Sequence, residues 1–258
     1  MADGRVERGN QTRRTVLERT MSIASMDGLE GLSLGKIATD LGLSKSGVFA
    51  LFGSKEELQL ATVQAARAVF VEQVVRPVWD QPAGLAKVWR LCESWLGYSG
   101  RRVFPGGCFF YSASAEFDSR PGPVHDEIAK IRGDWTRYIE RLLDEARLAG
   151  GFRASAAEMD VNVNADADVN VDADVDVEQL AFEIMAMMEL ANAHSVLHED
   201  TTAYDRAARG ILSRLRAATA APEELPERPP VLVFPAAGFS AADAPAVSLP
   251  AEPASPDR

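Results

Sequence analysis

The sequence predicts an all-α protein: a short N-terminal helical unit followed by a larger helical domain. Three observations carry this. Apolar residues recur at i, i+3 and i+4 through almost every patterned segment. No strand pattern or βαβ alternation survives beside them. Residues 33–52 place small, glycine and apolar side chains in the register of two short helices joined by a tight turn. At 258 residues and 47% hydrophobic composition, the chain is long enough to bury a substantial core.

The helices follow in order. Leu17, Met21 and Ala24, flanked by Val16 and Ile23, predict a helix over about 12–26 that ends near Gly28. Ser33 is placed to cap the next helix, with Ile37 and Leu41 facing inward. Ala38 is small where two helices would cross, Gly42 suits a left-handed helix end, and Leu43 plugs the turn. Ser44 caps a helix whose apolar face is Val48, Leu51 and Phe52. Ser54 and Glu57 form a capping-box pattern that opens a helix to about Val75. Leu85, Val88, Trp89, Cys92, Trp95 and Leu96 mark a helix beyond Pro77 and Pro82. The segment 103–117 breaks at Pro105-Gly106-Gly107 and resumes as a short helix, and "DSRPGP" is a loop. Ile128, Ile131, Trp135, Ile139, Leu142 and Ala146 mark a long helix stopping at Gly150-Gly151. A nearly all-apolar helix over about 178–198 precedes one over 202–218, striped by Tyr204, Ala208, Ile211, Leu212 and Leu215.

The net charge of −11 is segregated. Residues 1–60 are balanced, 158–178 carry −8, 220–258 carry −4, and the remainder carries +1. Asp160 to Val177 alternates Asp/Asn with Val/Ala, which resembles a strand, or calcium ligands at Asp172, Asp174 and Asp176. An EF-hand loop needs a glycine turn and a glutamate at its twelfth position, and both are missing. A low-complexity acidic linker over 158–177 is the expectation. Residues 220–258 hold nine of 14 prolines and ten alanines and are expected to be a disordered tail, as is the polar segment 1–10. Charges this far along the chain are largely screened beyond roughly 8 Å at physiological salt. Global acidity therefore does not forbid residues 11–58 from holding a polyanion.

The turn between the short helices offers phosphate chemistry. Ser44 and the free N–H groups at its helix start are a natural anion site. Lys45 is placed to reach a base edge or a phosphate; a solvated surface lysine is the plain alternative. Ser46, Gly47, Phe49 and Ala50 share that helix, and Gly47 costs about 1 kcal/mol relative to alanine. Lys55 opposes its helix dipole by ~0.3–1 kcal/mol unless an anion binds there. Arg13, Arg14 and Lys36 are further candidates, each with a surface role as the alternative.

At these residues, "LSLGKIATDLGLSKSGVFALFGSKEEL" (Leu32–Leu58) resembles the helix-turn-helix domain of the TetR family of bacterial transcriptional repressors. The segment from Val103 to Ile128 is similar to the ligand domain of one TetR subgroup. The resemblance implies a homodimer, double-stranded operator DNA as partner, and a helical domain over 59–219 through which a small molecule relieves binding. It departs where the family often carries Tyr for Phe49 and His or Tyr for Ala50 and Leu51. The reading surface is correspondingly poor in polar side chains.

In the larger domain Trp89, Cys92, Trp95, Phe109, Tyr111, Trp135, Met185 and Met188 are pocket candidates, or simple core. Ile184, Met188, Ala191, Ile211 and Leu215 are candidates for pairing with a second copy. His194 and His198 stand at i, i+4, a spacing zinc can use, without a third ligand or general base. No metal, cofactor or catalytic activity is expected. Cys92 and Cys108 are expected to be buried free thiols. The start lacks an apolar leader, and the 179–197 run carries Glu183, Glu189, Asn192 and His194. A cytoplasmic, membrane-free protein is the expectation. The rival readings are a helical small-molecule-binding protein that has lost DNA affinity, and a helical enzyme using the two histidines.

Overall fold

The computed structural model describes residues 3–153 and 175–230, together with 232 and 234. Its regular elements there are helices, and extended pairing is limited to an isolated antiparallel bridge between Phe152 and Thr219. Within the described residues the chain divides into two compact units: residues 3–77 with 98–133, and residues 78–97 with 134–153 and 175–230. Much of the acidic linker, and the tail beyond residue 234, lie outside the described residues.

The first unit opens with α1, Asp3–Asp27. The segment 1–10, expected to be disordered, is therefore helical from Asp3. A polar stretch contiguous with a packed helix extends it one hydrogen bond at a time, without a new nucleation cost. Gly28 closes α1 at φ 79°. Then come α2 (Leu34–Asp40), α3 (Lys45–Phe52) and α4 (Lys55–Phe70), the last prolonged by a π turn over Val71–Val75 and a 3-10 turn over Arg76–Val78. Val16, Met21, Leu32, Ile37, Val48, Leu58 and Val63 are buried among them. The Thr20 and Thr62 hydroxyls pair at 2.9 Å, so α1 and α4 meet without an unsatisfied polar group. After α5 (Leu85–Gly100), the chain turns through Pro105-Gly106-Gly107 into α6 (Phe109–Phe117). A Cβ on Gly106 would stand 1.7 Å from the Ser25 carbonyl oxygen, so only glycine allows this loop against α1. Phe70, Tyr98, Phe104, Phe109 and Phe110 form an aromatic core with centroids 5.4–5.9 Å apart. The first half of α7 (Pro123–Leu148) completes the unit.

The second unit takes residues 85–97 of α5, the second half of α7, α8 (Val177–His198) and α9 (Thr202–Ala218). Asp176 caps α8 by accepting the Gln179 N–H at 2.9 Å, so this aspartate ends the acidic run as a helix cap. Glu199 turns the chain at φ 54°, and Asp200 accepts both the N–H and the hydroxyl of Thr202 as α9 starts. Gly210 lets α9 approach α8, since a Cβ there would sit 2.6 Å from Met187 Sδ.

The tail expectation also needs correction at its start. Arg216 Nη1 donates to the carbonyls of Pro222, Leu225 and Pro226 at 2.9–3.1 Å, Leu225 is buried, and the Phe234 ring lies 5.1 Å from that of Tyr204. Prolines lack an N–H but keep an accepting carbonyl, and one guanidinium takes two of these together with the Leu225 carbonyl.

Candidate functional site

The first unit builds its outward face from a well-capped turn. Leu43 N–H donates to the Ala38 carbonyl at 2.8 Å and Gly42 takes φ 65°, which closes α2 onto α3. Ser33 stands at the N-cap of α2 but makes no side-chain cap bond. Ser44 Oγ accepts the Gly47 N–H at 3.0 Å, and Ser54 Oγ accepts the Glu57 N–H at 3.0 Å. A Cβ on Gly47 would fall 2.8 Å from Ser44 Oγ, so glycine keeps room for the cap itself.

Val48 and Phe52 are buried, while Lys45, Ser46, Phe49 and Ala50 are exposed. Lys45 with Phe49 and Ser46 with Ala50 are i, i+4 pairs, so the four side chains share one face. Within the described residues Lys36 and Lys45 have no ion-pair partner and both are exposed. The other basic candidates are engaged. Arg13 donates to the Leu51 carbonyl at 2.9 Å with its guanidinium 4.5 Å from the Phe52 ring centroid. Arg14 pairs with Glu18 at 3.1 Å. Lys55 Nζ donates to the Glu30 carbonyl at 2.6 Å and to its carboxylate at 3.0 Å. Gln59 donates to the Leu29 carbonyl and to the other Glu30 oxygen. These hydrogen bonds, Gln59 first and then Lys55, hold the Glu30 carboxyl below its usual range. Lys55 and Gln59 thereby brace the turn from α1 to α2.

Sequence reasoning did not find the partner of that turn in α6. The Glu116 carboxylate accepts the N–H groups of Leu29 and Glu30 at 2.7 and 2.8 Å. The pairing spans more than eighty residues, and no local pattern announces it.

Of the pocket candidates, Trp89, Cys92, Trp95, Trp135, Met185 and Met188 belong to the second unit, and Phe109 and Tyr111 to the first. Phe109 packs in the aromatic core, and Trp135 stacks on Tyr138 at 6.1 Å. Thr136 donates to Met185 Sδ at 3.7 Å. Burial pushes the Cys92 thiol up to about 12, so it is inert; Cys108 is also free and buried. Next to Cys92, burial raises the Glu93 carboxyl above its usual range, against the opposing influence of Arg90.

The candidates for a copy-to-copy face are in the wrong register. Ile184, Met188, Ala191, Ile211 and Leu215 are each 0–3% exposed, because they join α8 and α9 to the chain's own core. The apolar residues α8 leaves in solvent are Phe182, Leu190, Val196 and Leu197, at 64%, 70%, 40% and 77% exposure. A helix apolar nearly all round gives no moment from which its inner face can be read. Beside Leu190 a groove of about 240 Å³ is lined by Met187, Ala191, His194, Ala203, Arg206 and Ala207.

His194 Nε2 lies 3.5 Å from Asp200 Oδ2 and 4.5 Å, ring to ring, from His198. Among the described residues no group of three or more His, Cys, Asp or Glu is arranged to hold a metal ion. No helix there is long and apolar enough to cross a membrane.

A capped helix-turn-helix with an exposed basic and apolar face, together with a C-terminal helical unit, defines a helix-turn-helix regulator architecture. Residues 84–163 and 160–211 match the tetracyclin repressor-like C-terminal domain family. The chain belongs to the TetR family of transcription regulators. Solved structures share its fold. A TetR transcriptional regulator from Chloroflexus aurantiacus is 21% identical with a TM-score of 0.68, covering 83% of this chain and 100% of its own. A regulator from Saccharomonospora viridis in complex with choline is 19% identical with a TM-score of 0.59, covering 81% and 95%. AibR in complex with isovaleryl coenzyme A and operator DNA is 19% identical with a TM-score of 0.53, covering 70% and 85%. No curated protein sequence matches the chain.

Proposed function

We propose that the protein is a homodimeric repressor, released from a palindromic operator by a small apolar molecule, with no catalytic activity of its own. The observation that carries the DNA-binding part is α3: a capped helix whose exposed face holds Lys45, Ser46, Phe49 and Ala50, with Lys36 free beside it. Ser44 and the N–H groups at the start of α3 offer a phosphate site, with Gly47 keeping the approach open. Arg13, Arg14 and Lys55 remain proposed phosphate contacts, although each already holds an internal partner. Two copies of α3 in successive major grooves require half-sites about 34 Å apart.

Dimerisation is proposed through the exposed stripe Phe182, Leu190 and Leu197 of α8, three large apolar side chains left in water on one helix. The effector site is proposed within the second unit, among Trp89, Cys92, Trp95, Trp135, Met185 and Met188; the flexible methionines suit a loosely selective apolar ligand. Ligand-bound relatives support responsiveness: one structure holds choline, another isovaleryl coenzyme A with operator DNA. A ligand would act by favouring a dimer geometry that no longer matches the half-site spacing.

The test is a mobility-shift titration on DNA upstream of the protein's own gene, with tryptophan fluorescence read in parallel. An apolar effector should quench fluorescence and release DNA over one concentration range. Quenching without release identifies a ligand-binding protein whose DNA response is lost.

A further inference from the structure

We propose that α3 reads its operator chiefly through thymine 5-methyl groups, with Phe49 as the specificity-determining residue and Ala50 beside it. The inference rests on the DNA-binding role proposed above for the same helix and names what it selects.

Phe49 is 55% exposed on an eight-residue helix, in a unit whose other phenylalanines are packed inside. Its two neighbours at i±1, Val48 and Ala50, divide between core and solvent, so the Phe49 ring stands at the edge of the outward face. That face carries few hydrogen-bonding readers. Bidentate recognition of adenine needs Asn or Gln, and of guanine favours Arg, and α3 contains none of these. The nearest arginine, Arg13, is held by the Leu51 carbonyl and the Phe52 ring. Lys45 supplies a single flexible cation that suits guanine O6 and N7 or a phosphate, and Ser46 a hydroxyl that tolerates either donor or acceptor.

The remaining chemistry on this face is apolar contact. In the major groove the one apolar feature that distinguishes base pairs is the thymine methyl. A phenyl ring flanked by an alanine methyl forms a surface that gains by burying such a group and loses by desolvating cytosine N4 in its place. Each half-site is therefore expected to place one or two thymines under Phe49 and Ala50, next to a guanine within reach of Lys45. The contact is to carbon, so 5-methylcytosine should substitute for thymine there better than cytosine does.

The experiment uses the full chain and random duplexes enriched by binding to it, with uracil then replacing thymine one position at a time. At one or two positions per half-site, uracil should weaken binding about fourfold, and about fifteenfold when both half-sites are changed, as expected for burial of one methyl group at each. At the position under Phe49, Phe49→Ala should bind thymine and uracil duplexes equally, Phe49→Leu should retain the preference, and both should melt like the parent because the ring is exposed. Equal affinity of the parent for thymine and uracil duplexes overturns the proposal, as does a methyl preference that persists undiminished at every position in Phe49→Ala. A pool that yields no enriched sequence overturns the sequence-specific DNA reading beneath it, and with it the proposal.

Discussion

The Glu116 carboxylate, on α6, accepts the backbone N–H of Leu29 at 2.7 Å, one residue beyond the glycine that ends α1. Its other oxygen takes the N–H of Glu30 at 2.8 Å. One side chain so satisfies two donors where the chain leaves α1 for α2, and it ties α6 to the entrance of the helix-turn-helix. Charged acceptors of this kind contribute about 1.5–3 kcal/mol each when their donors are otherwise unsatisfied. Glu116→Gln, which turns an amide N–H₂ towards a backbone N–H, should lower the unfolding free energy by about 1–3 kcal/mol in urea denaturation. Glu116→Gln with the stability of the parent would show the contact to be incidental.

Gly28 belongs to the same arrangement. It sits at φ 79°, and a Cβ there would fall 2.7–2.8 Å from the Glu116 carboxylate. Gly28→Ala should cost about 1–2 kcal/mol from the left-handed backbone alone and more from the displaced carboxylate. In Glu116→Ala the second part should vanish, so a double-mutant cycle should give a coupling outside the ~0.5 kcal/mol of independent sites. Strict additivity would separate the two effects.

Lys55 and Gln59 hold Glu30 below its ordinary range, Gln59 contributing most. A carboxyl lowered in the folded state stabilises above its unfolded range, and this is lost as pH falls through the folded value. Gln59→Leu should therefore flatten the acid limb of thermal stability more than Lys55→Ala does, measured by melting between neutral pH and the acid transition. The pair is largely exposed, so the effect should be small.

Glu93 has the opposite sign. Burial raises its carboxyl, so the folded chain holds the proton more tightly than the unfolded one, and stability from this group falls as pH rises through its folded value. Glu93→Gln should raise the melting temperature at neutral pH, and the gain should disappear below the usual glutamate range. An unchanged melting temperature across the series would show the carboxyl to be well solvated.

The corrected face of α8 separates assembly from folding. Leu190→Glu should shift the protein towards monomer in sedimentation with little change in helicity, because the residue is 70% exposed. Ile184→Ala, at 0% exposure, should cost about 2–5 kcal/mol of folding stability. Dimers that survive Leu190→Glu would move the interface elsewhere.

What the sequence revealed divides along physical lines. Amphipathic helices declared themselves: Trp89, Cys92 and Trp95 on α5, or Ile131, Trp135 and Ile139 on α7, are buried as their spacing predicted. Caps declared themselves too, since Ser44 and Ser54 act locally, three residues from their donors. Long-range polar partners did not. Lys55 stands beside the cap expected of it, yet its Nζ goes to Glu30, and Glu116 had no sign in sequence at all. The inner face of α8 was illegible because Phe182, Ile184, Met188 and Leu190 are all apolar, and only three-dimensional packing decides which of them meets water.

The measurement closest to the central claim is a fluorescence-anisotropy titration of the full chain against two labelled duplexes at physiological salt: one enriched by the protein and one of the same composition in shuffled order. If α3 is a reading helix, the enriched duplex should bind on the order of 10³-fold tighter or more. Lys45→Ala should weaken both duplexes and lower the salt dependence by about one unit per half-site. Equal affinity for the two duplexes, with Lys45→Ala indistinguishable from the parent, would contradict the claim that this helix-turn-helix recognises DNA by sequence.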